Sequence, residues 1–357
     1  MNNMLEHSRL KAVGALGQQL WLDNLSRDLL TSGRLAELAR DDGVQGVTSN
    51  PAIFHQAIQH DPGYQAALPL LRTTHAAPEA RYEALVIPDV QRACDLFAPL
   101  YRDSLGRAGF VSFEVSPRVA HDTGATVVEA RRLWALIGRP NAMIKIPATP
   151  AGVAALEEVI YAGINVNMTL IFSASQIHAV RAAHRRGLAR RLQDKLSVQR
   201  IASVASVFIS RIDVAVDALL PPGDPLRGKA ALAYARIAYA EWKNDHGFGV
   251  FAAFGATPQW LLWASTATKN PAERDVRYVE GLIGADTIST VPDATLDAFR
   301  DHGVAQAALG DDVGADRAVL AQLAHRGIDL ETIGHQLLQA GLLQFEQAFG
   351  KLLALTE

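Results

Sequence analysis

Short, uninterrupted apolar runs alternate with amphipathic segments along most of the chain. Strands that are buried on both faces of a parallel sheet have such continuous runs, whereas helices repeat their apolar positions about every 3.6 residues. The pattern predicts eight strands, at residues 20–23, 46–49, 110–115, 142–147, 165–172, 203–209, 260–265 and 287–291. Eight strands that alternate with helices indicate an α/β fold, a (β/α)8 TIM barrel.

Several segments between these strands carry signals for the start of a helix. Thr149 precedes Pro150, and proline is favoured in the first helical turn. Ser173 stands three residues before Gln176, which is the spacing of a capping box. Asp293 precedes another amphipathic run, and aspartate is a preferred N-cap residue. The signals predict that a helix begins at each of these three places.

Additional helices are expected outside the regular barrel. Residues 54–107 are too many for one crossover helix, which predicts a helical insertion after the second strand. Residues 330–353 predict a long C-terminal helix that packs on the barrel. No linker rich in Gly, Ser or Pro divides the chain, so residues 1–357 are expected to form a single domain. A two-domain, doubly wound fold is the alternative, although no predicted strand is followed by GxGxxG.

Charge and composition limit the partners. The 357 residues are 49% hydrophobic, and 34 basic against 37 acidic residues give a net charge of −3, which will not attract nucleic acid or an anionic membrane. The basic stretch at residues 181–191 lacks interleaved aromatic residues and is interpreted as the solvated face of a helix. Residues 246–268 contain no charged side chain but include three glycines and Pro258. A buried strand with its flanks explains them better than a membrane span.

Compartment and metal content are inferred from few residues. Cys94 is the only cysteine, which excludes an internal disulfide, and residues 1–14 lack the apolar region of a signal peptide. We therefore expect a cytoplasmic protein with no membrane partner. The eleven histidines show no HxH or HExxH spacing, and together with the lone cysteine this predicts no metal site.

The most unusual single residue is Lys145, which lies within the apolar run Ala-Met-Ile-Lys-Ile-Pro. Loss of hydration makes the charged ammonium form costly there, and the neutral amine is a nucleophile. At the C-terminal end of a barrel strand, the side chain would reach the face where barrel active sites lie. A lone lysine at a strand end more often reaches solvent or pairs with a carboxylate, so the neighbouring strands decide the interpretation.

Polar side chains stand at corresponding places of the other predicted strands. Asp23 ends the first strand, Asn50 follows the second and Glu114 lies near the end of the third. Asn167 and Thr169 alternate in the fifth strand and therefore face the same side. One lysine, two carboxylates and several amides at one barrel mouth are suited to imine chemistry. Taken alone, each has an ordinary alternative, such as a helix cap for Asp23 or a turn at Asn50.

These residues resemble the motifs of the transaldolase family, whose members are Schiff-base (class I) aldolase barrels. The resemblance covers residues 15–303 in family order, with the motifs QLWLDNLSRDLL at 19–30, GVTSNPAIF at 46–54, FEV at 113–115, MIKIPAT at 143–149, GINVNMTLIFS at 163–173, SVFISRID at 206–213 and WASTATKNP at 263–271. It implies a single (β/α)8 barrel whose reaction needs no metal or organic cofactor.

The resemblance also implies roles for individual residues. Lys145 matches the lysine that forms the Schiff base, and Asp23 matches the acid/base at the C4 hydroxyl of the ketose. Glu114 and Thr169 match the residues that work with a catalytic water. The positions matching groups that bind substrate hydroxyls and phosphate are Thr48, Asn50, Asn167, Ser206, Arg211 and Lys269. Lys269 departs from the arginine of many members, since lysine offers a point charge and no planar fork.

The implied function is that of a transaldolase of the pentose phosphate pathway, a transferase that acts on sugar phosphates. Such an enzyme moves a dihydroxyacetone unit from sedoheptulose 7-phosphate to glyceraldehyde 3-phosphate, giving erythrose 4-phosphate and fructose 6-phosphate. Two alternatives stay open: an aldolase that releases free dihydroxyacetone, and an inactive barrel that only binds sugar phosphates. The sequence does not decide between a monomer and a homodimer.

Overall fold

The protein, seen in a computed structural model that describes residues 8–357, forms a closed barrel of eight parallel strands. The strands are β1 (Gln18–Leu22), β2 (Val44–Thr48), β3 (Phe110–Glu114), β4 (Ala142–Pro147), β5 (Val166–Ile171), β6 (Ser203–Phe208), β7 (Trp260–Ala264) and β8 (Thr287–Val291). They pair in chain order, and β8 closes the barrel against β1. The predicted (β/α)8 barrel is confirmed, and no predicted strand end is wrong by more than two residues.

The helices surround the barrel and add to it at two places. They are α1 (Arg9–Ala15), α2 (Arg27–Thr31), α3 (Arg34–Asp41), α4 (Pro51–His60), α5 (Pro62–Thr74), α6 (Pro78–Asp103), α7 (Thr123–Ile137), α8 (Pro150–Tyr161), α9 (Ala174–Gln193), α10 (Ser210–Asp217), α11 (Ala230–Lys243), α12 (Gly249–Ala252), α13 (Arg277–Glu280), α14 (Asp293–His302), α15 (Gly314–His325) and α16 (Leu330–Thr356). Single turns of 3₁₀ helix occur at Pro117–Val119 and His246–Phe248. As predicted, α4, α5 and α6 form an insertion between β2 and β3, and the long α16 packs on the barrel at β5.

A helix begins at all three predicted places, and the predicted N-cap is confirmed at two of them. The hydroxyl of Thr149 accepts a hydrogen bond from the backbone N–H of Gly152 at 2.9 Å, and that of Ser173 accepts one from Gln176 at 3.3 Å. The prediction for Asp293 was wrong, because Asp293 is the first residue of α14 and does not cap it. Its carboxylate instead accepts a hydrogen bond from Asn24 at 2.8 Å, which ties the end of β1 to the end of β8.

The strands are buried because their inner faces fill the barrel and their outer faces pack against helices. In β3, β4, β5, β6 and β8 every residue is buried, as the continuous apolar runs predicted. Trp21 and Trp263 are completely buried, in β1 and β7. Polar side chains within such strands therefore lie inside the protein or at its C-terminal mouth.

Two further expectations from the sequence concern residues 181–191 and residues 246–268. The arginines of residues 181–191 lie on α9, where Arg181 and Arg185 pair with Asp245, and Arg186 pairs with Glu157. A solvated face is therefore the wrong description for Arg181, whose side chain is only 11% exposed. Residues 246–268 contain β7 and its flanks, as predicted.

Among residues 8–357, none of the helices is both long enough and apolar enough to cross a bilayer. The expectation that no signal peptide is present rests partly on residues 1–7, which lie outside the described residues.

Gly46 in β2 should be required for the barrel to close tightly. A Cβ atom at this position would lie 2.8 Å from the carbonyl oxygen of Phe110 and from ring carbons of Trp21, closer than such atoms approach. We expect Gly46→Ala to destabilise the protein by about 1–3 kcal/mol in urea unfolding, because these buried neighbours have to move.

Gly350 provides the matched control for this substitution. It lies in α16 with no atom within 4 Å of a Cβ added there, so Gly350→Ala should stabilise the helix by roughly 0.5–1 kcal/mol. Equal stability of Gly46→Ala and the unmodified protein would contradict the close packing of β1, β2 and β3.

Candidate active site

A cavity of about 160 Å³ opens at the C-terminal mouth of the barrel. This face carries the βα loops, where the active sites of TIM-barrel enzymes lie. The cavity is lined by Asp23, Thr48, Asn50, Ala52, Lys145, Thr169, Ser206, Phe208, Arg211, Ala264, Ser265, Thr290 and Phe345. Seven of the ten residues expected at the site from the sequence therefore share one cavity.

Strand register brings three of the expected residues side by side. Glu114 of β3 is opposite Lys145 of β4, and Lys145 is opposite Asn167 of β5. Parallel neighbours in register project their side chains in the same direction, so the three side chains point to the same side of the barrel wall. A carboxylate and an amide thus flank the lysine because of backbone hydrogen bonding alone.

The amine of Lys145 is buried, with its side chain only 6% exposed. Nζ donates a hydrogen bond to the carbonyl oxygen of Ser49 at 3.2 Å and lies 3.6 Å from Oε2 of Glu114. It also lies 5.7 Å from the centre of the Phe345 ring. An ammonium ion at this place exchanges its hydration shell for one carbonyl, one carboxylate and one aromatic face.

Both carboxylates of the site hold their protons more tightly than usual. Burial raises the pKa of Glu114 to about 7, although the positive charge of Lys145 opposes the shift. Burial also raises the pKa of Asp23, again against Lys145 and against a hydrogen bond that Thr48 donates to Asp23 at 2.7 Å. A carboxyl group that titrates near neutrality is able to accept and return a proton during turnover.

Two threonines orient the carboxylate of Asp23. The hydroxyls of Thr48 and Thr290 are 2.6 Å apart, and Thr48 also donates to Asp23. A hydroxyl has one hydrogen, so Thr290 must donate to Thr48. Thr290 belongs to β8 and was not expected from the sequence, where a threonine in an apolar strand gives little signal.

Amide and hydroxyl groups form a second connected set inside the barrel. Ser206 of β6 donates to the side-chain oxygen of Asn167 at 2.6 Å, and Asn167 donates to the hydroxyl of Ser112 at 3.0 Å. These bonds fix which end of the Asn167 amide is the acceptor. Asn50 lies at the cavity edge and caps α4, since its side-chain oxygen accepts from the backbone N–H of Ile53 at 3.0 Å. The amide N–H₂ group of Asn50 takes no part in this helix cap.

The backbone of β5 is strained next to Thr169. Leu170 has a φ of 58°, in the left-handed region, and the pairing of β5 with β6 shifts register between Met168 and Ile171. Such a bulge re-aims neighbouring side chains and is enriched near functional sites. The Thr169 hydroxyl lines the cavity and, like both carboxylate oxygens of Glu114, is buried with no hydrogen-bond partner among the described residues. The Thr169 hydroxyl is thus available to a ligand or a water molecule in the cavity, while Oε2 of Glu114 faces the Lys145 amine.

The two expected phosphate-binding cations have different positions. Arg211 of α10 lines the cavity beside Phe208, and no carboxylate of residues 8–357 forms an ion pair with it. Burial lowers the pKa of Arg211 without making the guanidinium neutral at physiological pH. Lys269 is exposed in the loop after β7 and does not line the cavity. The structure brings Arg211 to the site and leaves Lys269 outside it.

Sequence analysis missed residues that tertiary structure brings to the cavity: Phe208, Ser265, Thr290 and Phe345. Ser265 has a φ of 55° and its hydroxyl is 2.9 Å from that of Ser210. Phe208 ends β6 and Ser265 follows β7, and both belong to the motifs given above, so their position in these motifs was the available signal. Phe345 lies in α16, far along the chain from any barrel strand.

A cluster of three glutamates outside the cavity is relevant to the prediction that the protein has no metal site. Glu79, Glu83 and Glu129 lie close together on α6 and α7. Arg132 pairs with both Glu83 and Glu129, and Arg118 lies 3.6 Å from Glu79. Arginines therefore account for this cluster, and the absence of a metal site stays a prediction.

The fold and the site together indicate a class of enzyme. A (β/α)8 barrel with a buried lysine and two carboxyl groups of raised pKa at its C-terminal mouth has the constellation of an enzyme that forms an imine with a carbonyl substrate. The comparison with known proteins agrees with this class. Residues 20–356 match the family described as Transaldolase/Fructose-6-phosphate aldolase, and the chain belongs to that family.

Relatives named transaldolase match nearly the whole chain. The transaldolase of Thiobacillus denitrificans is 51% identical over 352 residues, covering 96% of this chain and 98% of the relative. That of Neisseria gonorrhoeae is 51% identical over 348 residues, covering 97% and 98%. Transaldolase 1 of Streptomyces coelicolor is 44% identical over 357 residues, covering 97% and 93%. The resemblance found in the sequence motifs is confirmed, and the chain is an enzyme of this family.

Glu114 should make protein stability depend on pH. Its pKa rises from 4.5 to about 7 on burial, so the folded chain binds this proton more tightly than the unfolded chain. The resulting stabilisation is present below about pH 4.5 and is lost as the pH rises to about 7. Glu114→Gln lacks this titration, so its free energy of unfolding relative to the unmodified protein should increase by about 3 kcal/mol across this window.

Urea unfolding of both proteins between pH 5 and 8 measures the effect. Glu346→Gln, which changes an exposed glutamate of α16, is the matched control. A constant difference between Glu114→Gln and the unmodified protein over this range would show that Glu114 does not hold its proton as inferred.

Proposed function

We propose that this enzyme is a transaldolase that carries a dihydroxyacetone unit on Lys145 as a Schiff base. The observation that carries the proposal is the buried Nζ of Lys145, 3.6 Å from Glu114 and in the same cavity as Asp23. The relatives named transaldolase support the choice of reaction within the family. The substrates proposed are sugar phosphates, with sedoheptulose 7-phosphate and fructose 6-phosphate as donors.

The first stage joins Lys145 to the C2 carbonyl of the ketose. The neutral amine adds to the carbonyl carbon, and the resulting carbinolamine loses its hydroxyl as water to form a protonated imine. Glu114 lies beside the amine with a pKa of about 7, so it is placed to supply and recover a proton at neutral pH. The Thr169 hydroxyl, buried and without a protein partner in the described chain, is placed to hold the water involved.

The second stage breaks the C3–C4 bond. Asp23 takes the proton of the C4 hydroxyl, the aldose phosphate leaves, and the bonding electrons move to the imine nitrogen to give an enamine on Lys145. Burial raises the pKa of Asp23, which makes it a stronger base, and the hydrogen bond from Thr48 orients it. The enamine then attacks the carbonyl of a second aldose, and the same steps run in reverse.

Binding groups hold the substrate on both sides of the broken bond. Asn50, Asn167 and Ser206 provide amide and hydroxyl groups for the dihydroxyacetone hydroxyls. Arg211, which has no carboxylate partner within residues 8–357, is the group that we propose binds the phosphate. Contacts remote from the reacting carbons position them for reaction. The exposed position of Lys269 removes it from this proposal.

The alternatives differ in the fate of the enamine. An inactive sugar-phosphate-binding barrel has no need of a buried amine beside Glu114 and in the same cavity as Asp23, so the site geometry disfavours that alternative. A fructose 6-phosphate aldolase would use the same residues but release dihydroxyacetone, and the family description includes both activities. Cytoplasmic location and a single-domain organisation stay predictions from the sequence.

Lys145 is tested directly by chemical trapping. With fructose 6-phosphate and borohydride, the protein should gain the mass of one reduced dihydroxyacetone unit on the peptide that contains Lys145. Lys145→Ala should lose both this adduct and turnover, while Lys351→Ala, which removes an exposed lysine, should keep both.

The transferase activity is measured by adding erythrose 4-phosphate and following the glyceraldehyde 3-phosphate formed. Free dihydroxyacetone as the main product would contradict a transaldolase, and failure to trap any adduct on Lys145 would contradict the mechanism.

Arg211 is tested against Lys269. Arg211→Ala should reduce kcat/KM for fructose 6-phosphate by roughly 100-fold, the usual effect of losing a buried charge-assisted contact. The same substitution should have little effect on the slow reaction of unphosphorylated fructose. Lys269→Ala should leave both substrates nearly unaffected, because the side chain does not line the cavity. A larger loss for Lys269→Ala than for Arg211→Ala would reverse the assignment.

A further inference from the structure

The C-terminal helix α16 lies directly against the C-terminal mouth of the barrel, and two glycines permit this. A Cβ added to Gly334 would lie 2.8 Å from Cβ of Ser173, at the start of α9. A Cβ added to Gly341 would lie 3.0 Å from the side chain of Leu170, at the bulge of β5. With no side chain at these positions, the helix backbone approaches the end of β5 closely.

Contacts along its whole length hold α16 in this place. Near its start, Ser175 of α9 donates a hydrogen bond to Glu331 at 2.6 Å. In its second half, Phe349 packs edge-on against Tyr82 of α6, with ring centres 5.9 Å apart. At its end, Arg81 of α6 donates to the carbonyl oxygen of Thr356 at 3.1 Å. These contacts hold the helix over the cavity, and two of the three come from the insertion helix α6.

Phe345 is the residue of α16 that this placement brings to the reacting amine. It lines the cavity together with Lys145, is 7% exposed, and has its ring centre 5.7 Å from Nζ. A phenyl ring neither donates nor accepts a proton, and it occupies space next to the amine that water would otherwise fill. None of the roles assigned above to Lys145, Asp23, Glu114 or Thr169 uses this ring.

Water beside the amine would change the fate of the enamine. If a proton from water or from an acid reaches C3 of the enamine, a C–H bond forms and the nitrogen becomes an iminium again. One water molecule then hydrolyses the iminium to free dihydroxyacetone and the Lys145 amine, and no unit is transferred. A site that excludes water suppresses such side reactions of a reactive intermediate.

We propose that Phe345 determines how the enamine is partitioned between transfer and hydrolytic release. This inference rests on the proposed function, because it concerns the intermediate that transaldolase chemistry places on Lys145. It makes α16 one of the elements that decide whether the dihydroxyacetone unit is transferred or released. The phenyl ring favours transfer by keeping water away from the nitrogen and from the adjacent carbons.

The test measures the two fates of the same intermediate. Fructose 6-phosphate and erythrose 4-phosphate at fixed concentrations are supplied to the unmodified enzyme, Phe345→Ala and Phe345→Leu. The ratio of free dihydroxyacetone to transferred sedoheptulose 7-phosphate is then determined. We expect a severalfold higher ratio for Phe345→Ala and a smaller rise for Phe345→Leu, which keeps an apolar group of intermediate size. Loss of stability or of active enzyme lowers both products together and does not change their ratio.

Controls separate this inference from the function on which it rests. Leu343→Ala alters the same helix at a side chain that is 54% exposed, and it should keep the original ratio. An unchanged ratio in both Phe345 variants would overturn the role of Phe345 while the transaldolase reaction stands. If Phe345→Ala does not fold, Phe345→Leu decides by the same criterion. No transfer by the unmodified enzyme would overturn the proposed function itself.

Discussion

The buried amine of Lys145 is the constraint on which the site depends. Removing an ammonium group from water is costly, and the structure compensates with the Ser49 carbonyl at 3.2 Å and the Glu114 carboxylate at 3.6 Å. Glu114 is placed by the parallel pairing of adjacent strands, since it lies opposite Lys145 in register, whereas Ser49 reaches the amine from the residues that follow β2. A barrel whose register slipped by one residue would bury the amine without these partners.

The same burial prepares the carboxylates for proton transfer. Low hydration raises the pKa of both Asp23 and Glu114, while the nearby amine limits the rise. Burial therefore disfavours the charged form of both carboxylates, and the Lys145 amine partly offsets this effect. The same burial that suits Asp23 and Glu114 to proton transfer makes their charged forms costly in the folded protein. Catalytic reactivity and folding stability are therefore linked at the mouth of the barrel.

The elements outside the regular barrel share a structural purpose. The sequence predicted the helical insertion between β2 and β3 without indicating its role. In the structure, α6 packs against α16 through Tyr82 and Phe349, and Arg81 holds the last turn of that helix. The insertion thereby supports the helix that covers the cavity. The contact joins residues more than 260 positions apart, a separation over which no local pattern carries information.

The sequence by itself determined the barrel, its eight strands, and the motif residues at the strand ends, because hydrophobic periodicity and strand-end polarity are local properties. It identified Lys145 and Thr169 within strands and Asp23 and Glu114 at strand ends, while Arg211 was found through its resemblance to a family motif. Only tertiary structure decided that Thr290 orients Asp23 through Thr48, that Lys269 lies outside the cavity, and that Phe345 reaches the amine. These outcomes depend on the path of a loop and on the docking of a distant helix. Both are set by packing between segments that are remote in the chain, and no residue pattern within either segment encodes its partner.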